Sequence, residues 1–191
     1  GKPAYEHISQ ESSQTHIGFS FDAAPFRDPN FYLLRAGVGV LSDGMSSRLF
    51  DRVREQRGLC YTVSASTHSL YDRGAIFGYA GTTPERAQET LDVTLREIQA
   101  ISQGIEQAEL DRWKVRVESS LIMEQESCAS AVASMLSDWY HRGRVVTAKE
   151  IEAIIESITV DQVVEYWRKN PPKNFRLVTL GQSPLEFKPL L

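Results

Sequence analysis

The sequence has no apolar run approaching the ~18 residues that a helix needs to cross a bilayer, so a membrane-spanning helix is excluded. It has no surplus of positive charge either. Its 21 basic and 25 acidic residues are mixed along the chain, which leaves no basic face to neutralise phosphates, and no nucleic acid partner is expected. Cysteine is scarce, with only Cys60 and Cys128 and no C-x-x-C pair. These are expected to pack as small, half-buried hydrophobes, with a single bridge as the alternative. The four histidines, His7, His16, His68 and His141, are too far apart for H-x-x-H, H-E-x-x-H or H-x-x-E-H, so local spacing offers no zinc site. Gly44-Met45-Ser46-Ser47-Arg48 fails the last position of a serine-hydrolase elbow, and no phosphate-cradling G-x-x-x-x-G-K is present. Cys60 and His68 could share one face of a predicted strand, but at roughly 26 Å they cannot form a dyad.

What is present is the composition of an ordinary globular chain: 191 residues, 41% hydrophobic and 24% charged, enough for one domain with a sizeable core. The opening Gly-Lys-Pro-Ala-Tyr-Glu-His has no initiator Met and no apolar signal core, and it reads as the start of an excised piece of a longer chain. Residues 1–13 are polar and without period, so they are expected to form a tail or interdomain linker, with a single domain over 14–191.

From Gln14 the pattern changes. Ile17, Phe19 and Phe21 alternate with His16, Gly18 and Ser20, as a strand with one buried face does. Phe31, Leu34, Val38 and Leu41 then recur at three and four residues and predict a helix ending near Asp43 and Gly44. Met45 to Arg57 reads as a second short helix. Ser46 or Ser47 is its cap, Leu49, Phe50 and Val53 form its inner stripe, and Gly58 is its left-handed exit. Two strands follow, Cys60 to Tyr71 and Ala75 to Thr82, joined through Asp72-Arg73-Gly74 as an antiparallel hairpin; Tyr61, Val63, Ala65 and Thr67 are expected on one face of the first.

Five helices are predicted next. Thr83-Pro84-Glu85 starts one that runs to Gly104, and others begin near Glu106 and near Ala129. The stripes Leu110, Trp113, Val117, Leu121 and Val132, Met135, Leu136, Trp139, Tyr140 are both expected to face the core, as are Trp113, Trp139 and Trp167. Capping boxes at Thr147-Ala148-Lys149-Glu150 and Thr159-Val160-Asp161-Gln162 begin the last two helices, and Asn170-Pro171-Pro172 stops them. Arg176 to Gly181 alternates as a final strand whose place in the sheet the pattern leaves open. This order argues for an α+β fold, a mainly antiparallel sheet of about four or more strands with helices on one face.

One stretch carries a specific resemblance. Val38-Gly39-Val40-Leu41-Ser42-Asp43-Gly44-Met45-Ser46-Ser47-Arg48-Leu49-Phe50, continued by Arg54-Glu55-Gln56-Arg57-Gly58-Leu59-Cys60-Tyr61-Thr62-Val63-Ser64-Ala65, resembles the second, zinc-motif-lacking half of the pitrilysin, insulysin and mitochondrial processing peptidase family. There the text reads like G-G-G-M-S-S-R-L-F and then R-E-x-R-G-L-A-Y-x-V-S-A. This chain departs at Ser42, Asp43 and Cys60. The resemblance extends over about residues 14–181. It implies one half of a clamshell zinc metallopeptidase that closes over a peptide substrate. The partner is a homologous half, on the same full-length chain or a separate subunit, which carries the zinc on H-x-x-E-H. This chain itself is expected to hold no cofactor or metal and to be inactive alone. The resemblance suggests a soluble, bacterial protein and leaves the compartment open between cytoplasm and periplasm.

The family also implies an Arg and a Tyr, seven residues apart, that reach substrate carbonyls near the scissile bond, and Arg54 and Tyr61 match that spacing. Fixed donors aimed at a developing oxyanion suit such chemistry. Packing or surface pairing is the alternative fate of both residues. Arg57 is the rival for the anion-facing role, and Arg48 is expected to brace the Gly44 turn or hold a carboxylate. Two other readings compete: a non-catalytic scaffold or peptide-binding module of the same fold, and a hydrolase with its own nucleophile.

Overall fold

The computed structural model describes residues 4–188. The alternation that marks the first predicted strand is realised in β2 (Thr15–Ala23), where Ile17, Phe19 and Phe21 are buried and the residues between them are not. β3 (Cys60–Ser69) and β4 (Gly74–Thr82) form the expected antiparallel hairpin, and β4 continues antiparallel onto β2. The last strand, β5 (Arg176–Gly181), lies on the other side of β2, antiparallel to it. Outside β5 runs β1 (Ala4–Ser9), parallel to it, so the sheet order is β1-β5-β2-β4-β3.

β1 corrects the reading of residues 1–13 as a tail or linker, because residues 4–9 of that stretch are an edge strand of the sheet. No apolar alternation announces it. Its inward positions are filled by Tyr5 and His7, each of which shares a hydrogen bond with Thr179 of β5, at 3.0 and 2.9 Å. An edge strand fastened by polar side chains lacks the period of two that burial imposes on a central one.

The helices gather on the sheet face that carries Ile17, Phe19, Ile76 and Leu177, and the opposite face leaves Phe77 and Val178 open to solvent. α1 (Phe31–Ser42) lies deepest. Its Gly37 and Gly39 let two rings press on its backbone: a Cβ at Gly37 would sit 2.0 Å from the Trp167 ring and one at Gly39 1.9 Å from Trp113. α2 (Ala87–Ala100) begins after a single 3-10 turn at Pro84–Arg86, and α3 (Gln107–Gln125) opens with a capping box between Glu106 and Glu109. α4 (Cys128–Arg142) closes on left-handed Gly143. α5 (Ala148–Ser157) and α6 (Val160–Lys169) begin at the two predicted capping boxes.

On burial one expectation fails and another holds only in part. Trp113 and Trp167 are core residues, but Trp139 is 65% exposed, and Val132, Met135, Leu136 and Tyr140 of α4 are exposed with it. Cys60 is buried as a free thiol and Cys128 is free on the surface, so the two share neither a bridge nor an environment.

Candidate functional site

The segment that carries the resemblance folds as a junction between α1 and β3. After α1, Gly44 takes a left-handed conformation, and the Ser47 hydroxyl donates to the Gly44 carbonyl at 2.7 Å in place of capping the helix that follows. That helix is a π-helical segment, Leu49–Glu55, where an ordinary helical turn was expected. Seven residues are too few for periodicity to separate the two. Leu49 and Val53 are fully buried and root the segment in the core. Gly58 exits at φ +60°, with its N–H donating to the Arg54 carbonyl at 3.0 Å.

Four arginines decorate this junction, and three commit to acids on the neighbouring helices. Arg48 is 6% exposed and makes a two-pronged contact with Glu109 of α3, Nε to Oε1 at 2.7 Å and Nη2 to Oε2 at 2.6 Å, while Nη2 also donates to the Gly104 carbonyl. The expected carboxylate-holding role is therefore what Arg48 performs. Burial works against ionising Glu109, but hydrogen bonds from Arg48 and from the Glu106 backbone outweigh it and hold the carboxyl below its usual range. Arg52 reaches Glu97 of α2 at 2.7 Å, and Arg57 lies 3.7 Å from Glu89 on the same helix. Among the described residues Arg54 has no ion-pair partner on another element. Its guanidinium rests 4.7 Å from the Phe50 ring centre, and its nearest acid is its own exposed neighbour Glu55 at 3.6 Å.

Tyr61 emerges from an irregularity in β3. Cys60 pairs with Thr82 and Thr62 with Gly81, so Tyr61 is the extra residue of a β-bulge. The bulge breaks the face expected to join Tyr61 with Val63: Val63 is buried, and Tyr61 stands 64% exposed. Around it the backbone is pinned. The Leu59 carbonyl accepts from the hydroxyls of Thr82 and Thr90, and the Gly58 carbonyl accepts from Arg86. Tyr61 thus leaves a braced junction as an exposed phenol, three residues beyond the Gly58 exit that the Arg54 carbonyl helps close. No direct bond joins the two side chains. Burial pushes the thiol of their neighbour Cys60 up to about 11 despite the nearby Arg54 charge, which disfavours its thiolate.

Sequence reasoning missed the bulge because Tyr61 and Thr62 continue the regular alternation of β3 and give no sign of it; only the register with β4 reveals it. Among the described residues no group of three or more His, Cys, Asp or Glu side chains could hold a metal ion, and no helix is long and apolar enough to cross a membrane. The histidines lie apart, His16 sharing a 2.6 Å hydrogen bond with Tyr79 and His141 stacking on Phe26.

The chain is thus an α+β domain, a helix-backed five-stranded sheet entered through a braced, arginine-rich turn. The sequence matches the family described as Peptidase M16 inactive domain over residues 1–116, and the chain belongs to that family. It is 27% identical over 182 residues to an uncharacterized zinc protease of Mycobacterium tuberculosis, covering 95% of this chain and 42% of that protein. Against the uncharacterized zinc protease YmxG of Bacillus subtilis the identity is 28% over 177 residues, 91% of this chain and 43% of the relative. The fold matches a crystal structure of a peptidase M16 inactive domain from Pseudomonas fluorescens with a TM-score of 0.84 and 22% identity, covering 98% of this chain and 45% of the other. The chain therefore spans less than half the length of the relatives it matches.

Proposed function

We propose that this domain completes a zinc peptidase by closing over a peptide held against a zinc-bearing homologous half. In this reading the metal and its activated water belong to the partner, and Arg54 and Tyr61 supply donors to substrate carbonyls and to the oxyanion of the tetrahedral intermediate. The observation that carries it is the contrast within the junction: of the four arginines, Arg54 alone has no ion-pair partner on another element among the described residues, and seven residues on, a bulge leaves Tyr61 exposed. Bulges commonly re-aim a side chain next to an active site.

The exposed Tyr61 phenol, and an Arg54 guanidinium paired only with its own neighbour Glu55, support this reading over a purely structural scaffold. The test is reconstitution. The chain alone is expected to cleave no peptide and to bind no stoichiometric zinc, and addition of the H-x-x-E-H half should restore cleavage. Cleavage by the isolated chain would refute the division of labour. A well-formed but inert complex would favour the scaffold.

A further inference from the structure

Helix α4 is built inside out. The apolar stripe that its sequence marks for the core, Val132, Leu136, Trp139 and Tyr140, faces solvent, together with Met135. The side turned to the protein is small and polar. Asp138 is buried there and accepts from the Val146 N–H at 3.0 Å, while Arg142 reaches back to the Tyr32 hydroxyl at 3.0 Å. Asp138 and Arg142 are the only charged side chains between Cys128 and Arg142, and neither lies on the exposed face. A solvated helix surface normally carries charge, and a continuous apolar stripe on it marks a surface made to be covered.

We propose that the exposed face of α4 is the docking surface for the zinc-bearing half, a proposal that rests on the two-part peptidase reading above. The occupant follows from chain length. The relatives carry more than half of their residues outside the region that this chain matches, 58% in the M. tuberculosis protein (100 − 42), and that remainder has to pack somewhere. A homologous domain on the same chain, or in a tight complex, meets this face at high effective concentration, so a stripe of a few apolar anchors suffices. A substrate peptide fits less well. The C-terminal end of α4 touches the far end of the β3–β4 hairpin, with the Tyr140 and Tyr71 ring centres 6.0 Å apart, whereas Tyr61 lies at the near end of β3. Eight strand positions, Tyr61 to Ser69, put roughly 26 Å between them.

The three tryptophans provide the readout, because Trp113 and Trp167 are buried within the domain and Trp139 is not. Hydroxyl-radical footprinting of the assembled two-half protein should label Trp139 as slowly as Trp113. Labelling of Trp139 several-fold faster than Trp113 in that assembly overturns the proposal, as does protection that disappears on dilution to a single copy, which would assign the face to self-association. Protection gained only on adding peptide assigns it to substrate and also overturns it. In the assembly made from separate halves, Leu136→Glu should weaken association on the order of 30-fold, the loss of one interface anchor. Its exposed position leaves the domain's own fold intact, to be checked by circular dichroism; unaltered affinity contradicts the proposal. Tyr61→Phe provides the separate control: if it leaves turnover unchanged while Trp139 is protected, the catalytic reading fails and the docking surface stands.

Discussion

The junction before β3 and helix α4 carry similar apolar stripes and use them in opposite directions. At the junction Leu49 and Val53 go inward and charged residues bind the outside, Arg48 to Glu109 and Arg52 to Glu97. In α4 the polar residues go inward, Asp138 and Arg142 fastening the helix, and the hydrophobes remain outside. The first arrangement is that of a finished part of a domain, with Leu49 and Val53 in the core and Tyr61 exposed at the strand that follows. The second leaves an apolar face that, on the docking proposal, the zinc-bearing half covers. Apolar periodicity alone locates a stripe, and only the chemistry of the opposite face tells which way it turns.

That contrast can be broken by substitution. Arg48→Ala should have the largest effect, because Glu109 is only 9% exposed and would be left as a buried charge without its partner. A loss of about 3–5 kcal/mol of folding stability is expected in urea unfolding. The pH dependence has a defined sign. Glu109 has a lowered folded-state value, so its stabilisation is present above the ordinary carboxylate range and is lost as pH falls through that lowered value. Thermal melts of the unsubstituted protein should therefore weaken below about pH 4. Next comes Leu49→Ala, which opens a cavity at a fully buried site and should cost about 2–5 kcal/mol. Gly58→Ala, placing a side chain at φ +60°, is expected to cost roughly 1–2 kcal/mol. Leu136→Ala in α4 should change the stability of this domain by less than about 0.5 kcal/mol, although it removes the same side chain as Leu49→Ala. A large loss at Leu136 would mean that α4 is core after all, and the contrast would collapse.

Much of the fold was legible because it rests on local rules. The capping boxes at Thr147 and Thr159 begin α5 and α6 with the reciprocal hydrogen bonds their spacing implies, and the alternation around Phe19 marks a central strand. β1 was not legible, because an edge strand held by Tyr5 and His7 shows no apolar period. Nor was the orientation of α4, since Asp138 gains its meaning only from the Val146 N–H eight residues away. At the junction, the sequence motif pointed to a braced Arg48 but not to Glu109, a partner sixty-one positions distant that only the packing of α3 supplies. The bulge at Tyr61 depends on the register between β3 and β4, a property of the pair that neither strand encodes alone.

The central claim concerns Tyr61, and removing one hydroxyl tests it most directly. In the peptidase assembled with the zinc-bearing half, single-turnover cleavage by Tyr61→Phe should be slower by about 10²–10³-fold with substrate affinity changed little, as for a donor that acts on the oxyanion. An unchanged cleavage rate would contradict the account and leave Tyr61 as an exposed aromatic on a bulge.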